Sequence, residues 1–467
     1  MSDFADGVLR ELGLPRTAAA RLVGAEPPLP ARLPVGGLAR AAVGAFALAA
    51  ETARAAVHGT VRHPDDAPDP IPLDPVRIAA SFRSEQLGRL DGRAPAAWDP
   101  LSGFFCSADG WVRTHANYPW HAAALRSALG CGSEADREAV AAAIAERPAQ
   151  AVESAVYAAG GLAVAVRDPA AWARLRGPAD APLRLARSGA RRSLPSADPM
   201  LPLAGVRILD LTRVIAGPVA TRALAGLGAD VLRVDAPARP EPLWQWLDTG
   251  RGKRSTLLDL GDRGDRERFV ELLARADVVI TGARPGALAR FGLEPEQLAD
   301  SHPSIVTARV RAWAPCGDWG DRRGFDSLVQ AASGIAAIEG ETNGDGAPGR
   351  LPAQALDHSA GALLAAGVAS LLAEARAGHV AVALEDIARA LIGARAGADG
   401  AGAGACGLDA AETDPELLRA VDGFEPVAAP SRWGRLGIVG AAYLPRWQPD
   451  PGPWEGRPFG SDAPAWR

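Results

Sequence analysis

The stretch that most constrains the fold is residues 203–218, LAGVRILDLTRVIAGP, where a short apolar run leads directly into a turn and a helix start. A glycine and a proline end the turn, and proline is favoured in a first helical turn. A second apolar run follows one helix later, at 229–234, so the pair predicts a βαβ unit and a parallel sheet. The apolar positions of the first run are typical of a strand covered on both faces: Val206, Ile208, Leu209 and Leu211.

The same alternation of strands and helices continues to about residue 392. Ligands of parallel sheets bind beyond the carboxyl ends of the strands, so we expect the turn 212–218 to lie at a ligand site. Strands are predicted at 206–211, 230–235, 277–281 and 304–311, helices at 218–227, 263–275, 323–337 and 357–376, and a last strand and helix over 379–392.

The rest of the chain has a different character and suggests further units. Residues 1–97 are predicted to be helical pieces broken by proline, with a Pro/Asp-rich boundary at 65–74. Residues 98–180 are predicted to form a small α+β domain with a hairpin at Asp109-Gly110. A linker is predicted at 176–202, the large α/β domain at 200–392, and an irregular tail at 393–467 that begins with a glycine-rich loop, 393–407.

Composition excludes several classes of protein. The net charge of −5 argues against nucleic acid or an anionic membrane as a partner. Four cysteines without CxxC spacing support neither a zinc site nor a disulfide framework, so no metal is expected. The apolar run 41–50 is too short to span a bilayer, which takes about 20 residues. Residues 1–25 lack the order of a signal peptide, and we expect a cytoplasmic protein.

The residues that could perform chemistry are one carboxylate and several basic side chains. Neither GxGxxG nor GxxxxGK[ST] follows the first strand. Asp357 lies where an almost wholly apolar helix begins, either as an N-terminal cap or as a nucleophile or base. Arginine at the end of a parallel strand can bind phosphate, although solvated surface charge is the simpler interpretation for each. The basic residues at strand ends are Arg251, Lys253, Arg254, Arg284 and Arg290.

Five segments in this order resemble the class III CoA-transferases, the family of formyl-CoA transferase, carnitine CoA-transferases and α-methylacyl-CoA racemase. They are residues 203–237, 250–260, 276–293 and 322–334, and the helix that carries Asp357. The resemblance implies a Rossmann-like large domain that binds CoA, a small α+β domain, and two interlocked chains. It also implies that acyl-CoA and a small carboxylic acid are the substrates.

The resemblance assigns roles to individual positions. Asp357 matches the aspartate that attacks the thioester to form a mixed anhydride. Val214, Ile215 and Ala216 would lie against CoA, Leu258 near the adenine, and Ala287, Arg290 and Arg323 near the nucleotide or its phosphates. Arg284, Lys253 and Arg254 would be neighbours of the same site.

Two departures from the family pattern leave alternatives open. Phe325 occupies the place of the histidine base of the racemases, which favours acyl–carboxylate exchange over racemisation. His358 follows Asp357 directly, but successive helical residues do not face each other, so it is no obvious substitute. The small domain precedes the large one here, so the chain is interpreted as rearranged, either a homodimer or a fused pseudo-dimeric monomer. The alternatives are an acyl-CoA racemase, isomerase or lyase, and a non-catalytic acyl-CoA-binding paralogue.

Two further features are weaker. Residues 34–55 can be aligned with 352–376, so the first long helix is interpreted as a possible degenerate repeat in which Ala39 stands opposite Asp357. Four aromatic residues of the small domain could line a substrate pocket, although packing in a small core is the favoured interpretation. They are His115, Tyr118, Trp120 and His121.

Overall fold

The structure is a computed structural model, and it describes all but a few segments of the chain. Residues 59–68, 97, 285, 342, 344–345, 401–413, 449–453 and 455 lie outside the described residues. Residues 65–68 of the predicted boundary 65–74 and residues 401–407 of the predicted glycine-rich loop 393–407 therefore fall outside the described part.

The secondary structure follows in chain order. The strands are β1 Leu22–Val23, β2 Ile71–Pro72, β3 Arg89–Leu90, β4 Gly103–Ser107, β5 Gly110–Thr114, β6 Ala163–Ala165, β7 Arg184–Ala190, β8 Arg207–Leu211, β9 Asp230–Asp235, β10 Arg254–Leu257, β11 Val278–Thr281, β12 Val306–Arg311, β13 Arg376–Ala383, β14 Ala428–Ser431 and β15 Gly434–Gly437. The helices are α1 Ser2–Glu11, α2 Val35–His58, α3 Pro75–Phe82, α4 Ser84–Leu87, α5 Pro119–Leu129, α6 Arg137–Ala145, α7 Ala149–Ala158, α8 Pro169–Arg176, α9 Ala216–Gly226, α10 Leu243–Thr249, α11 Arg263–Leu273, α12 Pro295–Ser301, α13 Asp326–Ser333, α14 Ile335–Glu339, α15 Ala355–Ala373, α16 Leu384–Gly400 and α17 Pro415–Asp422, with 3-10 turns at Arg16–Arg21 and Ala289–Phe291.

A seven-stranded sheet, in the order β10-β9-β8-β11-β12-β13-β7, organises the large α/β part. All neighbouring pairs from β10 to β13 are parallel, and only β7 is antiparallel. The order reverses between β8 and β11, because the chain runs outward from β8 to β10 before it returns to β11. Side chains that follow β8 and β11 therefore meet in the crevice where ligands of such sheets bind. The predicted mixed α/β class with a large parallel sheet is confirmed.

The core beside this sheet is built on α15, which packs along α2 and α9. Alanine, leucine and glycine make up most of α15, and almost all its residues are buried. This helix is long and apolar enough to cross a membrane by length and composition, but the apolar window is entirely buried inside the protein. Its apolar surface is thus covered by neighbouring helices and by the sheet.

A separate apolar cluster supports the three-stranded sheet β4-β5-β6 and helices α5 to α7. The predicted hairpin at Asp109-Gly110 is confirmed, since β4 and β5 pair with Ser107 opposite Gly110. This sheet and its helices lie within the range 98–180 that the sequence suggested for a small α+β unit.

Three predictions of local structure differ from the structure. The segment 176–202, predicted as a linker, contains β7, an edge strand whose residues are mostly exposed, so it carries no apolar alternation. The helix predicted at 323–337 is broken at Gly334, which has φ +102° and would bring a Cβ within 2.5 Å of the backbone N of Pro169. The tail predicted as irregular contains α17, and its hairpin β14-β15 extends onto β3.

Candidate active site

The turn after β8 begins the site, because it carries backbone strain. Val214 has φ +71°, which is unfavourable for a β-branched residue and is found mainly where surrounding structure enforces it. Helix α9 starts two residues later, at Ala216. Gly361 of α15 allows the two helices to approach closely, since a Cβ there would lie 2.6 Å from the carbonyl oxygen of Ala216. The start of α9 is therefore held against the first turns of α15.

Asp357 lies in the first turn of α15 and opens on a cavity of about 270 Å³, which Val214 and Ile215 also line. The residue is 7% exposed. Within the described part of the chain, no hydrogen bond or ion pair engages its carboxylate. Burial raises the pKa of Asp357 well above its ordinary value, and the negative charges of Asp326 and Glu85 raise it further. A desolvated carboxylate without partners thus faces the cavity.

Asp326, the first residue of α13, lies directly behind Asp357. Its Oδ2 accepts the backbone N–H of Asp357 at 2.9 Å, and its Oδ1 accepts Nε2 of Gln330 at 2.5 Å. Burial raises the pKa of Asp326 to about 6 despite these donors. The hydrogen bond to the backbone of Asp357 fixes the helix start, while the charge of Asp326 disfavours the ionised form of Asp357.

His358 does not share the environment of Asp357. Its Nε2 lies 3.4 Å from Oε2 of Glu85, and its ring stacks on Phe82 with centroids 5.1 Å apart. Both partners come from the helices α3 and α4 of the N-terminal segment. This agrees with the expectation that neighbouring residues on a helix do not share one face.

The opposite wall of the cavity comes from residues that follow β5. His115, Asn117 and Tyr118 line it together with Asp357. The rings of His115 and Phe325 are stacked with centroids 3.9 Å apart and planes 8° from parallel. The interpretation that these aromatic residues only fill a core is therefore wrong for His115 and Tyr118. One chain supplies both walls of this cavity.

A buried network connects this wall to the carboxyl end of β9. The Tyr118 hydroxyl donates to Oε1 of Glu241 at 3.0 Å, and Oε2 of Glu241 accepts Nε of Arg213 at 3.0 Å. Arg233 pairs with both Asp235 and Glu241. Burial and the negative charge of Glu241 raise the pKa of Tyr118, so its hydroxyl stays protonated and remains a donor.

Four arginines form a basic cluster beside the cavity, defined here as Arg213, Arg239, Arg284 and Arg323. Burial lowers the pKa of Arg323. The positive charges of the neighbouring Arg284 and Arg239 lower this pKa further. Arg239 lies over the ring of Trp120 and Arg213 over that of Tyr118. Burial lowers the pKa of His121 to about 4, and the charges of Arg323, Arg239 and Arg213 contribute to this shift. Such a group of positive charges is suited to phosphates.

Two residues of the basic cluster were predicted as part of the CoA site from the sequence, and the other two were not. Arg323 and Arg284 were predicted near the nucleotide. Arg213 and Arg239 were not, although Arg213 directly follows the first strand of the sheet, a position that could have identified it.

Lys253 and Arg254 do not fit the predicted role beside CoA. The side chain of Lys253 is 0% exposed, and its Nζ lies 3.3 Å from Oδ2 of Asp210 and 2.8 Å from the carbonyl oxygen of Pro218. Arg254 forms a bidentate pair with Asp230 and also donates to the carbonyl of Ala465. Both cations are used within the protein, so the geometry corrects the prediction for these two residues.

The other predicted CoA residues are spread over the same edge of the sheet. Leu258 is 3% exposed and packs in the core beside α11, which leaves little of its side chain for an adenine. Ala287 lies one short turn after Arg284, to whose carbonyl its N–H bonds. Arg290 is exposed and lies over the ring of Phe291. Among the described residues no group of three His, Cys, Asp or Glu side chains could hold a metal ion.

Comparison with known proteins identifies the region that carries this site. The model of CoA-transferase family III matches residues 203–417. A probable fatty acyl-CoA transferase of Mycobacterium tuberculosis is 35% identical over 212 residues, which are 42% of this chain and 53% of that protein. Acetyl-CoA:oxalate CoA-transferase of Acetobacter aceti is 32% identical over 206 residues, 41% of this chain and 52% of the relative.

Two further comparisons also find relatives over part of the chain. Succinyl-CoA:glutarate CoA-transferase of Mus musculus is 35% identical over 160 residues, 32% of this chain and 37% of the relative. A solved CaiB/BaiF family protein from Brucella suis is 26% identical, with a TM-score of 0.37 over 42% of this chain and 57% of that one. The chain spans about half or less of the length of these curated relatives. Residues 203–417 are thus the part of the chain that is similar to CoA-transferase family III.

Proposed function

We propose that the protein is an acyl-CoA:carboxylate CoA-transferase that forms an aspartyl-acyl anhydride at Asp357. The observation that carries this proposal is the carboxylate of Asp357, which faces a cavity at the ligand edge of the sheet and has no hydrogen-bond partner among the residues that the structure describes. The family of residues 203–417 supports it, as do relatives named for CoA transfer.

The reaction proceeds as two exchanges on the same carboxylate. The Asp357 carboxylate attacks the thioester carbonyl, the carbon–sulfur bond breaks, and CoA thiolate leaves an anhydride behind. The thiolate then attacks the aspartyl carbonyl, which releases the first acid and leaves an enzyme thioester. The incoming carboxylate repeats these steps in reverse, so that the new acyl-CoA departs and Asp357 is regenerated.

The local structure suits these steps. The first N–H groups of α9 lack partners within the helix, and they lie beside Val214 and Ile215 at the positive end of the helix dipole. They are positioned to stabilise a thioester oxyanion. The apolar side chains around Asp357 limit water, which would hydrolyse the anhydride.

We also propose where the rest of CoA binds. The turn Val214, Ile215 and Ala216 would contact the pantetheine end, and the basic cluster would bind the phosphates. Ala287 and Arg290 would remain close to the nucleotide. The strand order of the sheet supports a Rossmann-like large domain over 200–392, with a small domain at 98–180.

A pseudo-dimeric monomer is the assembly that we propose, because residues after β5 and the first turn of α15 line one cavity within one chain. Light scattering should give a mass near that of one chain, 48.2 kDa. An obligate dimer at every concentration would contradict this.

A cytoplasmic location is proposed, supported by the free cysteines at positions 106, 131 and 316.

Trapping tests the proposed reaction directly. The protein is incubated with a panel of acyl-CoAs and hydroxylamine, and Asp357 is examined by mass spectrometry. We expect a hydroxamate on Asp357 that forms only with an acyl-CoA. If no acyl-CoA produces the adduct, the proposal is wrong.

A second candidate, α-proton exchange on an acyl-CoA, is favoured by one contact. His115 stacks on Phe325, the residue that stands in place of the racemase histidine, and so brings an imidazole to that place from another element. Burial lowers the pKa of His115 well below its ordinary value, so the ring is neutral, but the same shift makes it a weaker base. Deuterium from solvent at the α-carbon of recovered acyl-CoA, without an adduct, would support this candidate.

The pH dependence of transfer should depend on Asp326. The attacking group must be ionised, and the pKa of Asp357 is raised, so the rate should increase with pH above the ordinary aspartate range. Asp326→Asn removes a negative charge and keeps an oxygen for the N–H of Asp357. We therefore expect the acid limb of the rate profile to move to lower pH. A limb that stays in place would show that Asp326 does not control this ionisation.

A further inference from the structure

The charged side chains among the described residues that line the cavity are all acidic. The acidic side chains that line it are Glu85, Asp99 and Asp357, and none of the described lining residues is lysine or arginine. His115 is the imidazole of the lining, and burial together with the charge of Arg113 keeps it neutral. A ligand group inside this cavity therefore meets negative charge and neutral dipoles.

Two arginines contact side chains of the lining from outside it, Arg113 at Trp98 and Arg213 at Tyr118. Arg113 lies against the rings of Trp98 and Phe104, with its Cζ 5.0 Å from each centroid. Burial and the charges of Arg350 and Arg137 lower the pKa of Arg113 to about 10. Arg213 is paired with Glu241 behind Tyr118. Nε of Arg113 is buried without a hydrogen-bond partner among the described residues, but neither Arg113 nor Arg213 is among the residues that line the cavity.

The remaining surface of the cavity is aromatic. Trp98, Tyr118, Trp244 and Phe325 line it, and His115 is stacked on Phe325. Flat rings of this kind favour apolar and planar groups through burial and stacking. The volume of about 270 Å³ lies below the roughly 300–1,000 Å³ of pockets for drug-sized ligands, which favours a small acyl group.

We propose that the acyl group this site transfers is small and uncharged, so that its acids are monocarboxylic and mainly apolar rather than dicarboxylic. The inference rests on the proposed function and specifies its substrates. During transfer the reacting carboxylate becomes an anhydride or thioester and loses its charge. A second carboxylate would remain ionised, and it would lie among the acidic lining residues Glu85 and Asp99, where no described lining residue is a lysine or an arginine.

Two thioesters of nearly equal shape test the charge alone. Succinyl-CoA carries a terminal carboxylate where 4-methylpentanoyl-CoA carries two methyl groups. Like charges placed together cost several kcal/mol, and each 1.4 kcal/mol is tenfold. We expect the neutral thioester to form the Asp357 hydroxamate at least about tenfold faster than succinyl-CoA. If succinyl-CoA forms the hydroxamate at an equal or higher rate, the inference about charge is wrong, although the proposed transferase activity still stands.

If neither thioester, nor any other acyl-CoA, gives an adduct, both proposals fail together. The acids are tested in the same way as acceptors, with 4-methylpentanoate and succinate competing for the enzyme thioester that remains after the first acid has left. The preference for the neutral acid should have the same direction as the preference among donors.

Gln245 offers a variant that should reverse the preference. It lines the cavity, and its Oε1 is buried without a hydrogen-bond partner among the described residues. Gln245→Lys places a cation beside the acyl group and should raise the succinyl to 4-methylpentanoyl rate ratio about tenfold or more. Gln245→Met is the matched neutral control and should leave the ratio near that of the wild type. A similar rise in both variants would show that shape, not charge, selects the acyl group.

Discussion

Asp357→Asn should abolish acyl transfer while leaving the protein at least as stable as the wild type. The change removes the nucleophile but retains the size of the side chain, and we expect the rate to fall by about 10³-fold or more. The carboxylate has no partner that the substitution would orphan, and its ionised form is disfavoured by burial and by Asp326 and Glu85. Transfer rates and thermal unfolding of the two proteins are the measurements.

The stability difference should depend on pH in a defined direction. The folded-state pKa of Asp357 is raised above that of the unfolded chain, so the folded state retains a proton that the unfolded state has released. Wild-type stability therefore decreases as pH rises from the ordinary aspartate range through the raised pKa. The asparagine variant lacks this loss, so its advantage should be larger at about pH 8 than at about pH 5.

Ser359 provides the control in the same helix. Its hydroxyl is buried and has no partner among the described residues. Ser359→Ala should keep the transfer rate and not lower the unfolding temperature, since it removes an unsatisfied polar atom. Retention of more than about a tenth of the rate by Asp357→Asn would contradict nucleophilic catalysis at this residue.

The sequence was most informative where one pattern extends over many residues. The alternation of apolar strands and helices predicted the strands β8, β9, β11, β12 and β13. It gave no residue bounds for β10. The contrast between Asp357 and its apolar helix identified the carboxylate that the cavity exposes. By contrast β7, a mostly exposed edge strand, has no apolar alternation to detect.

Pairing across the chain explains the errors among charged residues. A basic residue near a strand end has the same local pattern whether it binds a phosphate or a buried carboxylate. The partner of Lys253 is 43 positions away and that of Arg254 is 24 positions away. Tyr118 was interpreted as core because its hydroxyl partner, Glu241, lies in another part of the chain.

Lys253→Met should destabilise the protein by about 3–5 kcal/mol, because it leaves a buried carboxylate without its cation. Burial alone would raise the pKa of Asp210, and the charges of Lys253 and Arg233 with two threonine hydroxyls bring it below its ordinary value. The free energy of unfolding, measured in urea, should show the loss. The KM for acyl-CoA should change little in the fraction that remains folded.

A double variant separates a structural role from a binding role. Adding Asp210→Asn to Lys253→Met removes the uncompensated charge and should restore part of the stability. Lys253 also bonds the carbonyl of Pro218, so it holds the end of β8 and the first turn of α9 around the strained Val214. If Lys253→Met instead left the unfolding free energy unchanged and raised KM about tenfold, the lysine would bind CoA as its position in the sequence first indicated.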